Sequence, residues 1–197
     1  MIDTILNSDE ILLINKTKSL FFKRVNDFGS DPYLLNDHVP EMEKWAFFMI
    51  DKYPQADKMA ILLSVWLHDI GHYPIPTEID HAVRSGDIAA KYLEDEKCST
   101  KLVSQVLHCV RAHRCRYIMP ETLEAKIIAC IDSASHMTSP MYFNMMRDEK
   151  GKSEPEVWAK IERDYRDLAM FPEVQAELKS LYESWKIVLK NYENIKY

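Results

Sequence analysis

Glycine is scarce, with 4 among 197 residues, about 2% where roughly 7% is usual. Neither a dinucleotide-binding fingerprint nor a phosphate-cradling P-loop has the glycines it needs. Cysteine is equally rare: the four, at 98, 109, 115 and 130, form no C-x-x-C pair. They are expected to be free thiols, buried or exposed, rather than a disulfide framework or a cysteine zinc site. Long apolar runs are missing too. The longest, Met59 to Leu67, is interrupted by Ser64 and falls far short of the roughly 20 residues of a membrane span. The opening stretch MIDTILNSDEILLINK mixes acidic with apolar residues and lacks a basic start, which makes it a poor signal peptide; the expected location is the cytoplasm, with no membrane partner. Positive charge is in deficit, 25 Lys and Arg against 31 Asp and Glu, for a net charge of -6 at pH 7. That balance disfavours generic binding to nucleic acid or anionic lipid, so no stable nucleic-acid complex is expected, and any anionic substrate must meet a local basic patch.

What remains is ordinary globular composition, 47% hydrophobic and 28% charged, in a chain long enough to bury a core. At roughly 150 residues per domain, it reads as one domain with an appendage. Helical spacing recurs throughout and no stretch alternates apolar with polar residues for long, so the expected fold is all-α, a helical bundle with a C-terminal helical extension. The spacing predicts helices near 16–28, 38–52, 56–71, 80–95, 99–114, 122–138, 154–169 and 173–194. Breaks are expected at Asp31-Pro32, Tyr53-Pro54, Tyr73-Pro74-Ile75-Pro76, Met119-Pro120 and Phe171-Pro172. Organisation follows: an N-terminal helical segment over 1–30, a core over 31–148, and helices packing on it from 149 to 197. DEKGKSEP at 148–155 reads as an exposed loop. The segment 56–71 is apolar on nearly every side, as expected of a helix in the centre of a bundle.

At the end of that central segment, His68 and Asp69 follow directly on Ile61, Leu62, Leu63, Val65, Trp66 and Leu67. A buried carboxylate without a partner costs several kcal/mol, about as much as a core mutation, so a cation or a hydrogen-bond network is implied. His38 lies four before Met42 and seven before Trp45, on the apolar stripe of its helix; Asp132 lies four after Ile128, at a flank of its own stripe. Three helices thus aim His38, His68, Asp69 and Asp132 at an interior, a plausible divalent-metal set.

A lone His, an adjacent His-Asp pair 30 residues later, and an Asp 63 after the pair resemble the HD superfamily of metal-dependent phosphohydrolases. HDIG at 68–71 and IDSASHM at 131–137 are similar to that family's motifs. The resemblance implies an all-α fold in which His38, His68, Asp69 and Asp132 hold the metal. His81 shares a face with Ser85, Ile88 and Tyr92, and His113 lies three after Val110 and seven after Val106. Each reads as a ligand or substrate contact, or as a satisfied core histidine. Some HD enzymes hold a second metal with two further histidines, and His81 and His113 resemble those. His108 falls with Ser104 and Arg111 on the polar side of its helix and is expected at the surface. His72, four after His68, stands where related enzymes place a Glu or Lys, and reads as a proton donor or a phosphate contact, or else as a residue that supports a ligand from behind or caps the helix. His136, four after Asp132, either orients it or serves the helix end.

Between Lys97 and Met119 there are five basic residues and no acid, the local patch required above. Arg114 and Arg116 follow closely on His113 and suit bidentate phosphate binding, or else are a solvated surface. Tyr73, Tyr92 and Tyr117 are candidates to stack on a base, or are core and rim. The leading expectation is hydrolysis of a phosphate ester in a nucleotide or another small phosphorylated metabolite, with Asp69 and His72 as the catalytic pair. The donors suit Mn, Fe, Co, Ni, Zn or Mg, as one ion or two. Two other readings stand beside it: a non-catalytic HD module that binds a ligand for regulation, and a di-iron HD oxygenase. A homo-oligomer is compatible with the sequence.

Overall fold

In the computed structural model, which describes residues 6–74, 78–147 and 153–193, the first helix α1 (Ser8–Phe28) starts well before position 16. The reason is a reciprocal cap: the Asn7 side chain accepts from the Asp9 and Glu10 N–H groups, and Glu10 reaches back to the Asn7 N–H. Gly29, at φ 82°, ends the helix. Next come α2 (Leu35–Lys52), α3 (Lys58–Leu67), α4 (His81–Asp95), α5 (Thr100–Ala112), α6 (Leu123–Thr138), α7 (Met141–Arg147), α8 (Glu154–Asp167), a 3₁₀ turn (Leu168–Met170), α9 (Pro172–Glu177) and α10 (Lys179–Glu193). Every regular element among the described residues is helical, and none is long and apolar enough to cross a membrane.

Several boundaries depart from the expected ones. The helices anticipated over 56–71 and 99–114 stop at Leu67 and Ala112, so that His68 and His113 become their caps and the residues after them turn. The last predicted helix is broken between Glu177 and Lys179, and α7 was not anticipated. Ile75 and Pro76 of one expected break, residues 148–152 of the expected loop, and the chain ends 1–5 and 194–197 lie outside the described residues.

The centre is α3. All of Met59 to Leu67 is buried, and it packs against α1, α2, α5 and α6. One continuous core joins Ile14 and Phe21 of α1, this central helix, Ile127 to Ile131 of α6, and Val157, Ile161, Trp185 and Leu189 from the C-terminal helices. Burying the central helix carries His68 and Asp69, at its end, inward with it.

Gly71 shows how closely the next element approaches. Its N–H donates to Ser85 Oγ at 2.9 Å, and a Cβ built there would lie 2.4 Å from the Ser85 nitrogen and 2.8 Å from the His81 carbonyl oxygen. Those are backbone atoms of α4 and cannot step aside. Gly71→Ala is therefore expected to cost about 1–3 kcal/mol in urea denaturation. Gly86→Ala, whose new methyl meets only the flexible Arg111 side chain, should stay within about 1 kcal/mol of the parent, since alanine also favours helix.

Candidate metal centre

The candidate ligands reach the centre from five helices, His68 and Asp69 together from the end of α3, and three of the histidines are fixed by a local bond. His68 Nδ1 lies 2.9 Å from the Val65 carbonyl oxygen, and His113 Nδ1 lies 2.7 Å from that of Val110. A carbonyl only accepts, so both rings carry their proton on Nδ1 and present a bare Nε2. His38, in the first turns of α2, follows the same logic. Ser135 gives its hydroxyl proton to the Asp132 carbonyl at 2.8 Å, leaving its oxygen to accept from His38 Nδ1 at 3.1 Å. The bare nitrogens then converge. His38 Nε2 is 3.3 Å from His68 Nε2 and 3.1 Å from Asp132 Oδ1, and His68 Nε2 is 3.6 Å from the same oxygen.

A second set stands alongside. His81 Nε2 is 3.3 Å from His113 Nε2, and Asp69 Oδ1 lies 3.2 Å from the former and 3.6 Å from the latter. Asp69 faces both sets: its Oδ2 is 3.4 Å from His68 Nε2 and 3.9 Å from His38 Nε2, while Oδ1, buried, has no hydrogen-bond partner.

Lone pairs facing lone pairs at these distances repel unless a cation lies between them. Donors bound to one ion at about 2.0–2.2 Å sit about 3–3.6 Å from one another, and both sets have that spacing. His38, His68 and Asp132 form one cluster able to hold a metal ion, and Asp69, His81 and His113 another. The residues present therefore fit such an ion.

Electrostatics agree with the geometry. Burial would raise the Asp69 and Asp132 carboxyls, but the surrounding imidazoles outweigh it and hold both well below the usual carboxylate range. Burial pushes His113 down to about 3 and His72 to about 4, and lowers His38, so all three offer neutral rings. His68 goes the other way. Burial opposes its protonation, yet the Asp69 and Asp132 carboxylates overcome this and raise it to about 10, so its Nε2 is bare only when another cation takes the place of that proton. The two carboxylates call for a positive charge at this spot.

The remaining candidates occupy distinct places. His72 stacks on His81 with ring centroids 4.0 Å apart, and its Nε2 is 3.5 Å from Asp69 Oδ1. Arg114 is paired with Asp80, the residue that caps α4 just before His81. Arg116 is exposed on the following turn. Tyr73 is buried with its hydroxyl on Asp31, Tyr92 is bonded to Thr17, and Tyr117 is 87% exposed. His108, expected at the surface, is half-buried and accepts the Glu121 N–H at 3.1 Å, because the chain after α5 folds back over it.

Four neighbours of the centre escaped the sequence reading. Tyr33 lies on His72, centroids 4.4 Å apart. Lys160 and Asp164 of α8 stand against His136 and each other, and Tyr142 of α7 donates to Asp164. Asp164 did carry a signal: it falls three after Ile161 and seven after Val157, on the apolar stripe of its helix, where an acid has no business without a partner.

A family model described as HD domain matches residues 36–137, just over half of the chain. No curated protein and no solved structure matches it.

Proposed function

The chain belongs to the HD domain family, and on that premise we propose that it is a metal-dependent phosphohydrolase, cleaving a phosphate ester of a nucleotide or another small phosphorylated metabolite. The observation that carries this reading is Asp69, whose two carboxylate oxygens face separate groups of bare imidazole nitrogens, one of them without any hydrogen-bond partner. His38, His68, Asp69 and Asp132 would hold one divalent ion, and His81 and His113 with Asp69 a second; Mn, Fe, Co, Ni, Zn and Mg all accept such donors in differing degree. Bound there, a divalent cation lowers the pKa of a water molecule and polarises a phosphoryl oxygen.

The protein's own groups do the rest. Asp69 stays ionised, and with a single ion held on the His38, His68 and Asp132 side its Oδ1 is free to accept a proton from the attacking water. His72, held near pKa 4 by burial, is neutral at pH 7 and so acts as a hydrogen-bond contact to the phosphate rather than as a proton donor. Water is the nucleophile, since burial pushes the Cys109 and Cys115 thiols up to about 12 and removes thiolate at neutral pH. Tyr33, 40% exposed beside His72, walls the place where the rest of the substrate lies.

Of the two arginines, Arg114 is committed to Asp80, which leaves Arg116 to meet the phosphate. Arg116→Gln should raise KM by about tenfold or more, the loss of one charge-assisted contact of roughly 1.5–3 kcal/mol, with kcat and metal content unchanged. A normal KM would make that residue plain surface. The function itself is tested by phosphate release from a panel of nucleotides and sugar phosphates, run with each of the six metals. Turnover on at least one is expected. Tight binding without turnover would overturn the hydrolase in favour of a regulatory module.

A further inference from the structure

His136 differs from His38, His68 and His113, and the difference comes from outside the span that matches the family. Lys160 of α8 places its ammonium 2.7 Å from His136 Nδ1 and 2.7 Å from each oxygen of Asp164. Asp164 is 2% exposed and also accepts the Tyr142 hydroxyl at 2.7 Å. An ammonium has three protons to give and no lone pair. Two go to the Asp164 carboxylate, and at 2.7 Å the ammonium can only donate to His136 Nδ1, which therefore accepts and carries no proton of its own; the longer 3.4 Å approach of that nitrogen to Asp164 Oδ2 is bridged by the same ammonium. The ring proton is left on Nε2, and that atom faces Asp132 Oδ1 at 3.4 Å. The His136 ring lies flat against His38, centroids 4.6 Å apart and 16° from parallel, so it has little freedom to turn.

We propose that Lys160, neutralised by Asp164, is a positioning residue that fixes His136 as a hydrogen-bond donor to Asp132. His38, His68 and His113 all have Nδ1 on a carbonyl or hydroxyl oxygen and offer Nε2 as a lone pair. Lys160 reverses that arrangement at one histidine. Outer hydrogen bonds of this kind set the orientation and donor strength of a ligand, and their loss typically weakens metal affinity about 10–100-fold. The C-terminal helices thereby become part of the metal centre. The proposal rests on reading His38, His68, Asp69 and Asp132 as a metal site.

The test uses the full chain and Mn²⁺ alone. In long-range ¹H–¹⁵N spectra of metal-free protein, His136 should show its proton on Nε2. The variant K160M/D164L removes the pair together, which avoids leaving a buried carboxylate unpartnered. It should fold, lose the single Nε2–H tautomer at His136, and bind Mn²⁺ at least tenfold more weakly by calorimetry. K160R, which still only donates, should stay within about threefold of the parent, as a donor that satisfies the same acceptors would. Should the double variant fail to fold, His136→Gln against His136→Leu decides: glutamine keeps an N–H for Asp132 and should retain affinity, and leucine should lose it. A double variant that matches the parent in both tautomer and Mn²⁺ affinity, or equal behaviour of the glutamine and leucine variants, overturns the proposal alone. A parent protein that binds no Mn²⁺ overturns the metal reading itself.

Discussion

Asp69→Ala should abolish both metal retention and turnover while leaving the helical circular-dichroism spectrum in place. The loss ought to exceed the roughly 10–100-fold that removal of an outer partner costs, because this carboxylate serves two clusters at once: Oδ2 faces His68 and His38, and Oδ1 faces His81, His113 and His72. Alanine deletes the only acid in the second cluster and leaves the two imidazoles of His81 and His113 there with nothing to balance an ion's charge. The helix should survive, since the nine buried residues of α3 do not depend on Asp69, and His68 keeps its own bond to Val65. Metal analysis of the purified variant and phosphate release on the best substrate are the measurements. Full stoichiometry with a normal rate would mean that the ion, and the chemistry, lie elsewhere.

His113→Ala against His108→Ala is the second large contrast, and it is internal to one helix. His113 is buried, neutral, and brings its Nε2 to within 3.6 Å of Asp69 Oδ1. Removing it should cut turnover by about 100-fold or more, at or above the upper end of what loss of an outer partner costs. His108 only receives the Glu121 N–H, a bond worth about 0.5–1.5 kcal/mol of stability, and its loss should leave the rate within a factor of about three. Steady-state rates with matched melting curves separate the cases. Equal losses would show that the second cluster takes no part in catalysis.

The ligand set was legible because burial and helical phase coincide at these positions. His38, His113 and Asp132 could be placed from their distance to Met42, Val110 and Ile128, and an apolar stretch ending in His-Asp must bury both. Helix ends were less legible. Apolar spacing says nothing about where a side chain takes over from the backbone, so the Asn7 cap on α1 and the turns at His68 and His113 were missed. Arg114 shows another limit: its distance along the chain from Asp80 hides a pairing that only the fold creates. For Lys160 and Asp164 the periodicity was visible, but nothing in the sequence says which buried group meets them.

The Asp31 carboxylate has a reach that its position belies. It accepts the Leu35 N–H at 2.9 Å and the Asn36 N–H at 2.8 Å, starting the helix that carries His38, and takes the Tyr73 hydroxyl at 2.6 Å, just past the turn that carries Asp69. One side chain therefore gauges the distance between two ligands. It stands five residues ahead of the stretch that matches the family, as Lys160 and Asp164 stand behind it. A polypeptide trimmed to 36–137 would keep His38, His68, Asp69, His81, His113 and Asp132 and still lack the brackets that hold them at working separation. For anyone grafting this centre onto another scaffold, the portable unit is larger than its signature.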